Sequence, residues 1–110
     1  MKDCLFCKIV KGEVKTGVVL EAPKALAFKD INPVAAVHIL IVPKKHIDTA
    51  TSITSSDGAD LVAMHQAAKK LVEKLKLTSY RLAYNGGKYQ HVPHLHMHLL
   101  SGDQVQWDRL

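Results

Sequence analysis

His94-Leu95-His96-Met97-His98 continues into Leu99 and Leu100 near the end of the chain. Imidazole and apolar side chains alternate, and in a β-strand successive side chains point to opposite faces. The alternation predicts a strand over 94–100, with Leu95, Met97 and Leu99 entering a core. The other face then carries three imidazoles roughly 6–7 Å apart. Imidazole changes charge near neutral pH, so such a row suits proton transfer, nucleophilic attack or metal binding. One alternating pair of histidines is an ordinary feature of a solvated sheet face. Here His91 stands just upstream, and His38 and His46 lie close together earlier in the chain. Six of the seven histidines thus fall in two short segments.

Upstream of that row the pattern reads as strands around one helix. Residues 4–11 suit a short helix ended by Gly12. Val18-Val19-Leu20-Glu21 and Ala25-Leu26-Ala27-Phe28 read as strands joined at Ala22-Pro23-Lys24. Asp30-Ile31-Asn32-Pro33 is a turn. His38-Ile39-Leu40-Ile41-Val42 reads as a buried strand stopped by Pro43. The polar stretch 51–57 offers Ser55, Ser56 and Asp57 as helix caps. From about Gly58 to Leu75, residues Leu61, Met64, Ala68, Leu71, Val72 and Leu75 recur at helical spacing and define a core stripe. His65 lies beside that stripe, where a packed or interface-edge histidine is the ordinary reading. Tyr80 to Tyr84 alternates as a strand, and a loop from Asn85 runs to Pro93. No G-x-G-x-x-G occurs, so nothing suggests a dinucleotide fold. Antiparallel strands with one dominant helix indicate an α+β domain spanning 1–110.

Composition limits the function classes. At 110 residues the chain makes one domain, small enough to gain from self-association. Apolar content of 47% and charged content of 23% are those of a soluble globular protein. No apolar run approaches the ~20 residues that span a bilayer. The N-terminal residues lack a signal-peptide core, which leads one to expect the cytoplasm. The formal charge of +5 rests on 13 lysines and two arginines, Arg81 and Arg109. The lysines are scattered and aromatics make up only 5%, a poor match to a nucleic-acid surface. Cys4-Leu5-Phe6-Cys7 holds both cysteines, and in a reduced compartment this reads as half a zinc site or a redox pair. No strand precedes it, unlike a thioredoxin motif. Half a zinc site needs two more ligands, and the chain has spare histidines.

The run from His94 to Leu100 resembles the signature of the histidine triad family of nucleotide-binding hydrolases and transferases. Further pieces match in order: Cys-Leu-Phe-Cys-Lys-Ile-Val near the start, Leu-Ala-Phe-Lys-Asp-Ile-Asn-Pro at 26–33, and His-Ile-Leu-Ile-Val-Pro-Lys-Lys-His-Ile at 38–47. Asn85-Gly86 and Gln90-His91-Val92-Pro93 complete the set. The tail around Trp107 is similar to the short branch that contains purine nucleoside phosphoramidases. The resemblance implies a five-stranded antiparallel sheet with one main helix and a short N-terminal helix. It also implies a homodimer that continues the sheet.

By matching position, the resemblance makes His96 the nucleophile that forms a nucleotidyl-histidine. It places His98, His38 and Asn85 beside the phosphate and leaving group, and Asp30 on the ribose hydroxyls. Phe6, Ile9, Phe28 and Ile31 would form an apolar slot for the base, with Gln90, His91 and Val92 also near the nucleotide. Read without the resemblance, Asp30 is a turn aspartate and the apolar four are core. Cys4, Cys7, His46 and His94 match a zinc set of the family, suited to one structural zinc per chain. His91 competes for the fourth ligand position. No catalytic metal is expected.

The chain also departs from that branch. Gly-Gln-Ser before the triad is here Tyr89-Gln90-His91. The loop from Asn85 is about two residues shorter than in that branch, and a terminal Pro-Pro-Gly is Asp108-Arg109-Leu110. These changes leave the leaving group open. The leading expectation is a hydrolase that releases a nucleoside monophosphate from a purine phosphoramidate or similar conjugate. A dinucleoside polyphosphate hydrolase or nucleotidyltransferase is the alternative within the family. Two further readings remain: a metallohydrolase whose histidine row holds the metal, and a zinc-stabilised nucleotide-binding module with little turnover.

Overall fold

The computed structural model describes residues 3–105, so Trp107 and the terminal tripeptide lie outside the described residues. Helix α1 (Leu5–Val10) is followed by β1 (Val18–Glu21), β2 (Ala25–Lys29) and β3 (Val37–Pro43). Helix α2 (Gly58–Lys74), β4 (Arg81–Tyr84) and β5 (Met97–Ser101) complete the fold. The five strands form one sheet in the order β1-β2-β3-β5-β4, and every pairing is antiparallel.

The two helices cover opposite faces of the sheet, which explains why β2 and β3 are apolar on both sides. Ala25, Ala27, Ile39, Ile41, Met97 and Leu99 pack with Met64, Ala68 and Leu71 of α2. Leu26, Phe28, Leu40 and Val42 pack with Phe6 and Ile9 of α1. Met64 is fully buried, so Met64→Ala would cost about 2–5 kcal/mol.

Both helices end in the same way. Gly12 (φ 78°) follows the cap of α1, with Gly12 N–H on Ile9 O and Glu13 N–H on Lys8 O. At the end of α2 the left-handed residue is Lys76 (φ 55°), with Lys76 N–H on Glu73 O and Leu77 N–H on Val72 O. These paired bonds satisfy the last carbonyls of each helix.

Three expectations need correction. The predicted helix stripe ends one residue early: Leu75 is a cap residue and 43% exposed, because the chain turns left-handed at Lys76. The helix approach is not capped by Ser55 or Ser56. Those residues lie in a 3₁₀ turn entered from Thr54, and the Asp57 carboxylate turns back to accept from Thr54 N–H at 2.9 Å. Strand β5 begins at Met97, not His94. The β3–β5 register pairs Ile41 with Met97, which would place Pro43 opposite Leu95. Proline has no N–H to donate, so the ladder stops. Leu95 N–H instead bonds Ile47 O at 2.7 Å.

Candidate functional site

The three histidines do share the α1 face, but they divide between two sites. His94 is fully buried and turns toward the N-terminal cysteines. His96 and His98, with ring centroids 5.1 Å apart, turn into a cavity of about 260 Å³. His38 joins them from β3, where it precedes Leu40 on the same face.

His96 has a defined proton. Its Nδ1 lies 2.8 Å from His94 O, and a carbonyl only accepts, so Nδ1 carries the hydrogen. Nε2 is left with its lone pair, as a nucleophile requires. Burial lowers the His96 pKa and keeps the ring neutral, against an opposing pull from the hydrogen bond to His94. Phe6 packs edge-on against it at 5.1 Å and fixes its plane.

The neighbouring rings form a directed chain. Val34 N–H donates to His38 Nδ1 at 3.1 Å, so neutral His38 carries its proton on Nε2. That N–H lies 2.9 Å from His98 Nδ1 and 3.3 Å from Asp30 Oδ2. His98 therefore accepts at Nδ1 and holds its own proton at Nε2; the Asn85 amide nitrogen stands 3.4 Å from that Nε2, so the amide must turn its oxygen there to accept the proton. Burial drives the His98 pKa down to about 4, helped by His96 and His38. His38 is also lowered by burial, although Asp30 opposes the shift. The result is a bare nitrogen on His96 beside an N–H on His98.

The nucleotide-binding candidates separate on inspection. Phe6, Ile9, Phe28 and Val92 line the cavity, as do Asp30 and His91. Phe6, Ile9 and Phe28 are also core, so they pack the interior and wall the cavity at once. Asp30 likewise does two things: Oδ1 accepts from Asn32 N–H at 2.8 Å in a turn, while Oδ2 faces His38. Ile31 belongs to the wall but is 86% exposed, a rim residue and not part of a closed slot. Gln90 lies outside the wall, because its amide donates to Asp48 O at 2.8 Å and Val92 O at 3.0 Å. Leu5, Thr16, Lys29, Asn32, Leu40 and Tyr89 escape sequence reasoning and complete the wall. Only Leu40 left a signal there, two residues from His38 on a strand.

Cys4, Cys7, His46 and His94 form a second cluster, their ligand atoms all within 4.8 Å of one another. Cys4 Sγ caps α1 by accepting from Cys7 N–H at 3.4 Å, which brings the two sulfurs to one side. Cys4 Sγ and Cys7 Sγ lie 3.3 Å and 3.5 Å from His94 Nδ1, and Cys7 Sγ lies 3.3 Å from His46 Nδ1. A tetrahedral zinc with bonds of about 2.3 Å to sulfur and 2.0 Å to nitrogen has S···N edges of roughly 3.5 Å. His94 Nε2–H donates to Pro43 O at 2.9 Å, and His46 Nε2–H to Asp48 Oδ1 at 2.7 Å. Both Nδ1 atoms are thus bare and aimed at the thiols, the pattern that outer partners impose on metal-binding histidines. This donor set is compatible with zinc. His46 stands as the fourth member of this cluster; His91 lies in the cavity wall instead.

Asp30, His38 and His98 also fall within 4.8 Å, but their protons are arranged differently. A metal on His38 Nε2 would force the proton to Nδ1, against Val34 N–H. The geometry of this trio is that of a proton network.

A family profile described as HIT domain matches residues 11–105, which is most of the chain. The chain belongs to the HIT family. An uncharacterized HIT-like protein of Synechocystis is 38% identical over 109 residues, covering 96% of each sequence. Adenosine 5'-monophosphoramidase of Candida albicans is 36% identical over 108 residues, covering 89% of this chain and 69% of the relative. A HIT family hydrolase from Legionella pneumophila superposes with a TM-score of 0.88 at 43% identity, covering 98% of this chain and all of that one (100%). A histidine triad protein from Clostridium difficile gives 0.90 at 38% identity, covering 96% and 95%. The observed sheet and helices are thus those of a HIT-like α+β fold. No helix among the described residues is long and apolar enough to cross a membrane.

Proposed function

We propose that this HIT protein is a nucleotide-binding hydrolase. It releases a nucleoside monophosphate, of the AMP or GMP type, from a phosphoramidate or similar conjugate through a covalent nucleotidyl-His96. One observation carries the reading: the His94 carbonyl holds the proton of His96 on Nδ1 and leaves Nε2 free. The bare nitrogen borders a cavity with apolar walls for a base and one carboxylate, Asp30, for ribose hydroxyls. His98, with its proton on Nε2, serves the departing group. The naming of one relative as an adenosine 5'-monophosphoramidase supports the P–N bond as target.

Zinc belongs to the cysteine site in this reading. It would be held by Cys4, Cys7, His46 and His94 and would supply rigidity, since four protein ligands leave no open position. His94 then links the two sites, as its ring faces the thiols and its carbonyl orients His96. Proton placement in the Asp30–His38–His98 trio argues against a catalytic metal there. A cytoplasmic setting would keep the thiols reduced. A second copy of the chain would cover the β4 edge.

The test is intact-mass measurement after brief, acid-free quenching with an adenylated phosphoramidate. A nucleotidyl adduct is expected on the native chain and not on His96→Ala. Near-native turnover by His96→Ala would overturn the mechanism.

A further inference from the structure

The cavity has an uneven charge distribution across its floor. Sheet order β2-β3-β5-β4 sets Asp30, His38, His98 and Asn85 in that succession. Asp30 is the one carboxylate in the described wall, flanked by Lys29. Past Asn85 the wall is the β4–β5 loop, where Tyr89 and His91 stand exposed to solvent. The Lys88 ammonium sits 6.0 Å from the Tyr89 ring centre. His91 shares this wall with His96 and His98. The carboxylate of Asp48, the acid bonded to this loop through its backbone oxygen, is engaged by His46. The His91 imidazole therefore borders the side of the cavity away from Asp30.

We propose that His91 selects substrates whose departing group carries a negative charge. The inference rests on the hydrolase reading, which seats the nucleoside toward Asp30 and so sends the departing group toward the β4–β5 loop. In that reaction the His96 Nε2 lone pair forms the bond to phosphorus. The pair of the breaking P–N bond goes to the departing amine, which takes the proton of His98 Nε2. Water then attacks phosphorus, gives its proton to His98, and returns the bonding pair to His96. His96 is cationic while it holds phosphorus, because Nδ1 keeps its proton on the His94 carbonyl, and His98 is the deprotonated partner until water returns that proton. His91 lines the wall and is exposed, so its imidazole is placed to donate an N–H to an anion on the departing amine.

Four adenosine 5'-phosphoramidates test this with one P–N bond throughout. They carry β-alanine, β-alaninamide, aminoethyl phosphate and ethanolamine. The native protein should favour each anionic member over its neutral partner by about tenfold in kcat/KM, equivalent to about 1.4 kcal/mol. The two pairs show whether carboxylate or phosphate is the better anion. His91→Ser should reduce both preferences to about twofold or less, and His91→Lys should restore them. Equal preferences in the native protein and His91→Ser, or no native preference, would overturn the proposal. His96-dependent turnover without preference sinks this inference alone. Absence of His96-dependent turnover on all four sinks the hydrolase reading and this inference with it.

Discussion

His38 Nε2 lies 2.9 Å from His98 Nδ1, although the two residues are 60 positions apart in sequence. With Val34 N–H on the far nitrogen of His38, this contact sets the proton of His98 on Nε2. In His38→Ala, His98 loses that constraint and samples both tautomers. The expected result is a kcat about 10- to 100-fold lower with KM changed far less, since the loss falls on proton transfer. An unchanged kcat would show that His98 is oriented by other groups.

Purified protein should carry about one zinc per chain, as a four-ligand closed site implies. Cys4→Ser and Cys7→Ser should each lower metal content and Tm. Because the His94 carbonyl orients His96, metal removal should also reduce turnover. Metal analysis finding no zinc in protein prepared under reducing conditions without chelator would refute the site.

Stability should fall between about pH 6.5 and pH 4. Burial depresses His98 to about 4 in the folded state and lowers His38 as well. The unfolded chain binds more protons in that window, so unfolding becomes easier as pH drops through it. The stabilisation is complete above the unfolded imidazole range and lost through the folded value. His98 alone should account for roughly 2–3 kcal/mol at most. Denaturant titrations of native protein and His98→Asn at pH 7 and pH 4.5 check this. The variant should show a smaller pH dependence.

The protein should be a homodimer. Strand β4 ends the sheet, with Leu82 39% exposed beside exposed Tyr80. The Tyr84 hydroxyl is buried with no hydrogen-bond partner, and its burial raises the phenol pKa to about 12. An unpaired strand edge gains by pairing with a twin. Light scattering near 12 kDa across micromolar concentrations would contradict this; the chain mass is 12.2 kDa.

Strand order within the chain, the α2 stripe around Met64 and Leu71, and the imidazole row were legible in sequence, because periodicity reports which side of an element is buried. The resemblance carried roles for His96, His98 and the Cys₂His₂ set along the chain. What stayed hidden depends on atoms that meet from distant segments. The early end of the β5 ladder follows from Pro43 standing opposite Leu95, a matter of register. The resemblance groups Gln90 with the nucleotide site, while in the structure its amide donates to Asp48 O and Val92 O. The resemblance puts Ile31 in an apolar slot, while in the structure it stands exposed at the rim.

Residue types at fixed spacing determined the fold class and the candidate chemistry: alternation built the sheet, and a Cys-x-x-Cys turn with two histidines offered a metal set. Only the tertiary structure decided which imidazole nitrogen bears each proton. Val34 N–H, the His94 carbonyl, the Pro43 carbonyl and Asp48 make those choices through hydrogen bonds whose partners sit up to 51 residues away. A donor or acceptor at one ring nitrogen dictates the state of the other. That is why similar clusters read as a zinc set in one place and as a proton network in another.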